Sequence, residues 1–230
     1  YFQEIAEKPK RSKNDEGKLL DIRLWIAGFM LTTTTVFTMI LLQSGNLNVV
    51  SFIVMITLLI LGLIYAVPPF LIASTGYSEF VMTVMITILY PIIGYQFQSN
   101  ELSRLVPMVA FPLFALHLAM MIIRRFSSYA QDLKINPKSL LVRMGWRNGL
   151  QLHNFLILGG YLLLGLGNVM GLPLSVTWPG FISLPLGIFQ IWYLIRIGEG
   201  AAPNWRLLTL NSFAIFALTT YILTFSFWTN

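Results

Sequence analysis

The 230-residue chain contains no cysteine. That excludes disulfides, thiolate nucleophiles and thiolate metal ligands. Charge is also scarce. Only 10% of residues are Asp, Glu, Lys or Arg, against about 25% in a soluble domain. The only histidines are His117 and His153. No Walker loop, no GxGxxG following a strand and no HExxH occurs, so the signatures of phosphate-cradling loops, dinucleotide folds and zinc peptidases are missing. Low-complexity tracts and clear internal repeats are absent too.

What the chain has instead is oil: 56% of it is hydrophobic, in recurring runs of about 20 residues, the length of a membrane-crossing helix. Seven spans are expected, at 22–42, 48–66, 79–97, 104–123, 152–171, 179–197 and 207–228. The fold class is therefore an all-α integral membrane protein with seven transmembrane helices, a single membrane domain over 1–230. Short, nearly uncharged linkers alternate with longer polar ones. Fourteen of the fifteen Lys and Arg fall on the face of the polar segments, and only Arg104 falls on the other. The positive-inside rule then places the N-terminal segment 1–21 and the loops 67–78 and 124–151 in the cytoplasm, and the C-terminus on the opposite side. The net charge of +6 is read as topology and not as a nucleic-acid surface.

Within this frame, residues 8–18 read as a solvated mobile loop. Residues 138–150, KSLLVRMGWRNGL, read as a short amphipathic helix in the interface, with Leu140, Leu141 and Met144 dipping in and Arg143 and Arg147 pointing out. The glycines of LGGYLLLGLGN suit close helix packing. His117, inside the fourth span, is either a ligand for a pigment, haem or headgroup or a hydrogen-bonded interior histidine. His153 carries no role.

Three segments resemble the UbiA superfamily of intramembrane prenyltransferases. Lys138, Ser139 and LLVRMG (140–145) resemble the tail of D-x-x-x-D-x-x-x-G-K-x-T-L-x-V-R-L-G. Asp132 stands at the motif's last aspartate and Ser128 at the earlier one, with Arg124 and Ser127 where the family has Asn and Arg. YAVPPF (65–70) followed by GYSEF (76–80) is similar to the family's Y-S-x-P-P turn and G-x-G-E-L element, which singles out Tyr65 and Glu79. YFQEIAE (1–7) resembles the end of the first motif, N-D-Y-F-D-x-x-x-D, with Gln3 and Glu7 at its aspartate positions; YFQ also reads as the remnant of a protease-cleavage tag. The superfamily fold has nine spans and its first motif ends the second. The resemblance thus implies helices three to nine of that fold, with 67–78 and 124–151 as cap loops.

The resemblance further implies transfer of a polyprenyl group from its diphosphate to an aromatic acceptor. Carboxylates four apart share a helix face, and two such pairs can hold Mg²⁺ against the departing diphosphate. Here each motif keeps one carboxylate, Glu7 and Asp132, beside Gln3 and Ser128. Arg124, Arg125, Lys134 and Lys138 remain as candidate phosphate ligands. Asp132 either joins a metal–diphosphate site or pairs with Arg124, Arg125 or Lys138. Glu79 is either a cap or acceptor residue or a helix N-terminal acid favoured by the dipole. Tyr65 is either a site residue or part of the interfacial belt. The leading expectation is a catalytically degraded relative that binds isoprenoid, lipid or quinone, or serves as a subunit among other membrane proteins, with no cofactor. The alternative is an active Mg²⁺-dependent transferase; a transporter is third, disfavoured because the spans hold few polar residues in their middles.

Overall fold

The structure, a computed structural model, describes residues 13–45, 47–67, 70–99, 101, 103–135 and 139–229. Among these the regular elements are all helical. Seven helices are long and apolar enough to cross a membrane, so the chain is a multi-pass membrane protein. It divides into two compact units, residues 1–48 and 49–230.

The first unit contains α1 (Lys13–Gln43). It starts inside the stretch expected to be a solvated loop. Its Thr32, Thr33, Thr34, Thr35 and Thr38 each donate a hydroxyl hydrogen to the carbonyl four residues back, at 2.8–2.9 Å. A run of hydroxyls is thereby satisfied within one helix, as hydrocarbon demands.

The second unit opens with α2 (Val49–Ala66). The next span runs from Ser78 to Ser99 as α3 (Ser78–Val84), a π turn (Met85–Leu89) and α4 (Tyr90–Ser99). The π turn has a local cause. Pro91 has no N–H to give its carbonyl four residues back, and the Tyr90 N–H reaches five residues back, to Met85. After α5 (Leu105–Phe126) come two short helices, α6 (Tyr129–Ile135) and α7 (Leu140–Met144), and then α8 (Trp146–Val169). The expected interfacial helix over 138–150 is thus broken. Gly145, at φ 80°, ends α7 and caps α8, so α8 begins six residues before the expected span. Leu141 is buried in protein and Arg143 lies over the Tyr77 ring, 5.8 Å from its centroid. The sixth span also begins early. It runs through α9 (Leu174–Gly180), a 3₁₀ turn (Phe181–Ser183) and α10 (Leu184–Gly198). The last helix is α11 (Trp205–Thr229).

Helix α5 is the centre of this unit. Most of its inward positions from Ala110 to Phe126 are buried, against α8, α11 and α3. The α5–α8 seam closes on Gly160, where an added Cβ would lie 2.8 Å from Leu116 Cδ2 and 3.3 Å from the Pro112 carbonyl oxygen. Further in, the Ser183 hydroxyl meets the Tyr161 hydroxyl at 2.8 Å and Thr219 Oγ1 at 2.6 Å. This links α8, the 3₁₀ turn and α11 by interhelical hydrogen bonds.

Candidate functional site

At the end of the second unit where α2 and α5 finish and α3 begins, a cavity of about 370 Å³ opens. Tyr65 reaches it from the end of α2, Glu79 and Met82 from α3, Arg124 and Arg125 from the end of α5, and Ser128 from the turn beyond. Ser78 and Met121 complete the wall, and five of the eight residues that line it are ones the sequence singles out. They come from three segments as much as 63 positions apart.

Glu79 is the pivot. It sits in the first turn of α3, yet its carboxylate does more than face the helix dipole. Only 2% of the residue is exposed. Oε2 accepts a hydrogen bond from Ser78 Oγ at 2.9 Å, and Oε1 accepts one from Arg125 Nε at 2.5 Å. A carboxylate this buried has to be paired, and the guanidinium supplies the charge. Arg125 is therefore committed to Glu79 and not to Asp132. Arg124 is exposed at the cavity wall. Its Nη1 lies 3.9 Å from the Met121 sulfur, and it has no ion pair among the described residues.

Asp132 lies on α6. Its Oδ2 accepts a hydrogen bond from Ser128 Oγ at 3.1 Å, and no cation pairs with it among the described residues. The motif's two positions thus face each other four residues apart, as the resemblance implies, but as hydroxyl donor and carboxylate acceptor. Lys134 is exposed at the end of α6 and stands outside the cavity wall. Gln3, Glu7 and Lys138 lie outside the described residues.

The implied Mg²⁺ pair needs carboxylate oxygens with free lone pairs. Of the described carboxylates here, Glu79 is neutralised by Arg125 and Asp132 accepts the Ser128 hydroxyl. Among the described residues, no three His, Asp or Glu gather into a metal-holding group. The described carboxylates, Glu79 and Asp132, do not complete such a pair between them, and Glu7 and Gln3 stand outside the described residues.

His117 lies two turns below Arg125 on α5. Its Nδ1 is 2.9 Å from the Thr83 hydroxyl, and its ring stands edge-on to Phe216 at 4.8 Å between centroids. Thr83 is one turn from Glu79 and donates to the Glu79 carbonyl at 2.7 Å. His117 is thus buried and held by a hydrogen bond within the protein. His153, assigned no role and placed at the interface by sequence, is fully buried on α8, with Nδ1 3.3 Å from Asn154 Oδ1. Thr83 and Met82 are the site neighbours that sequence reasoning missed. The signal was there in the spacing, since positions three and four beyond Glu79 share its helix face.

The loop joining α2 to α3 carries one further mark. Leu71 adopts a left-handed backbone, φ 39° and ψ 54°, which is unusual for a side chain of that size. Compared with protein-family models, with curated proteins and with solved structures, the chain has no match in any of the three.

Proposed function

We propose that this protein is a UbiA prenyltransferase-like membrane protein that binds an isoprenoid, lipid or quinone headgroup in the cavity between α2, α3 and α5 and does not transfer it. The observation that carries the reading is the convergence of Tyr65, Glu79, Arg124, Arg125 and Ser128 on that one cavity. Tyr65 and Glu79 belong to one segment of resemblance, and Arg124 and Ser128 to another.

The same observation supports binding over catalysis. Glu79 and Arg125 cancel, leaving Arg124 as the cation that faces the cavity. A net charge near +1 suits a monoanionic phosphate or a polarisable carbonyl better than a trianionic diphosphate, whose leaving-group charge requires metals or several cations. Ser128 and Asp132 are engaged with each other. A departing diphosphate would find little here to neutralise it.

The test is calorimetric titration of the purified protein with a non-hydrolysable prenyl diphosphate analogue, a prenyl monophosphate and a short-chain quinone, each with and without Mg²⁺. The expected result is binding that does not depend on Mg²⁺, that survives Asp132→Ala, and that weakens about fivefold or more for the anionic ligand in Arg124→Ala. Binding that requires Mg²⁺ and collapses in Asp132→Ala would replace this reading with that of an active transferase.

A further inference from the structure

A second polar site lies on the same basic face, away from the cavity described above. The start of α8 and the end of α10 lie side by side there and enclose a groove of about 460 Å³. One wall is a stripe on α8: Arg147, Gln151 and Asn154. Their spacing of four and three residues puts them on one helix face. The other wall, on α10, is Leu194, Ile195 and Gly198. Gly198 keeps the groove narrow, since a Cβ there would be 3.5 Å from Leu150 Cδ1.

Three observations define what would fit. The first is charge. Arg147 is exposed and has no ion pair among the described residues, while the nearby acid Glu199 is taken by Arg196 at 3.4 Å. The first turn of α8 adds to this, because Gly145 offers its N–H groups no side-chain cap, leaving them and the helix dipole favourable to an anion. The second is depth. Further along the same face of each helix the exposed residues become apolar: Leu158 on α8 and Ile188 on α10. The third is rigidity. Trp146, which lines the groove, is fixed by Phe126 at 4.8 Å, Tyr129 at 5.4 Å and Trp205 at 5.6 Å between ring centroids.

We infer that this groove binds an anionic phospholipid, its phosphate against Arg147 and Gln151 and its acyl chains along Leu158 and Ile188. The head of the groove is cationic and hydrogen-bonding, its lower part is hydrocarbon, and both lie at the end of two membrane-crossing helices. That combination matches a lipid with a charged head. A free phosphate would use only the upper part, and a zwitterionic lipid offers the same phosphate but brings its own choline cation into a head that is already positive.

Native mass spectrometry of the full chain, with phosphatidylglycerol and phosphatidylcholine supplied in equal amounts, tests the inference. The expected result is retention of phosphatidylglycerol over phosphatidylcholine by about fivefold, the contribution of one cation near the surface, and loss of that preference in Arg147→Ala. Arg143→Ala, whose guanidinium rests on Tyr77 outside the groove, keeps it. Equal retention of the two lipids, a preference that survives Arg147→Ala, or one that Arg143→Ala removes to the same degree would each overturn the inference. If Arg147→Ala does not fold, Arg147→Gln is the second variant: it keeps a hydrogen-bonding side chain, removes the charge and abolishes the preference for phosphatidylglycerol, and an unaltered preference overturns the proposal. Retention of inorganic phosphate alone, with no lipid preference, also overturns it.

Discussion

The pair formed by Glu79 and Arg125 is the residue-scale decision on which the candidate site turns. The carboxylate is buried while about a third of the Arg125 side chain is exposed, so the two single substitutions should not cost the same. Arg125→Met strands a buried charge, and losing one partner of such a pair costs about 3–5 kcal/mol. Glu79→Gln leaves a guanidinium that water can still reach, and about 1–3 kcal/mol is expected. The double variant Glu79→Gln/Arg125→Met should lose less than the sum, because each single change owes part of its cost to the group it leaves behind. Thermal unfolding of the four proteins in one detergent gives the coupling; strict additivity would mean that the pair is not formed. Sequence could nominate both residues but not their union. They stand 46 positions apart, and the nearer acid, Asp132, was the natural partner on paper. Asp132 lies past the end of α5, where the chain turns at Ser127 and Ser128 into α6, so its carboxylate meets the Ser128 hydroxyl while Arg125 faces α3.

At the scale of elements, the glycines of α8 separate packing from permissiveness. Gly160 faces Leu116 and the Pro112 carbonyl across the seam with α5, whereas an added Cβ at Gly159 would meet nothing within 4 Å. Gly160→Leu should therefore overpack the seam and destabilise the protein by about 1–3 kcal/mol or more. Gly159→Leu should be nearly neutral, or slightly favourable for the helix itself. The midpoints of unfolding of the two variants compare them directly, and equal effects would show that α8 does not press on α5 by this face. That glycines would serve packing was legible in LGGYLLLGLGN. Which of them does so was not, because the run is apolar on every side and carries no periodicity to mark the inner face. The same limit hid the rank of the helices. α2 and α5 are similarly oily in sequence, yet α5 is largely buried while α2 buries only Ser51. Hydropathy reports what a helix avoids, water, and in a bilayer that is compatible with lipid or protein on any face. The boundaries that sequence reasoning missed share a cause as well. Gly145 and the early start of α9 are backbone events at the membrane surface, where hydropathy falls off gradually and the turn itself sets the edge.

At the scale of the whole molecule, the open question is orientation, and the missing cysteines make it accessible. The unequal distribution of Lys and Arg predicts that the segments after α5 and after α10 face the cytoplasm, while the segment between α4 and α5 and the end of α11 face away. Ser127, Ala201, Glu101 and Thr229 are exposed in those four places. The chain has no cysteine of its own, so a single cysteine at each position would be the only thiol to react. A membrane-impermeant maleimide applied to intact cells should label Glu101→Cys and Thr229→Cys and leave Ser127→Cys and Ala201→Cys untouched until the membrane is opened. The reverse pattern would invert the protein. It would also move the cavity of Tyr65, Glu79 and Arg124, and the groove of Arg147, to the outer leaflet. The ligands proposed for both would then have to be sought among lipids and isoprenoids presented on that side. Labelling of all four positions from one side would require a break in one of the spans. The π turn at Met85–Leu89 and the 3₁₀ turn at Phe181–Ser183 are the two non-α turns inside the described spans. Neither interrupts the run of helical residues across its span, so a pattern that alternates with each crossing is the expected outcome.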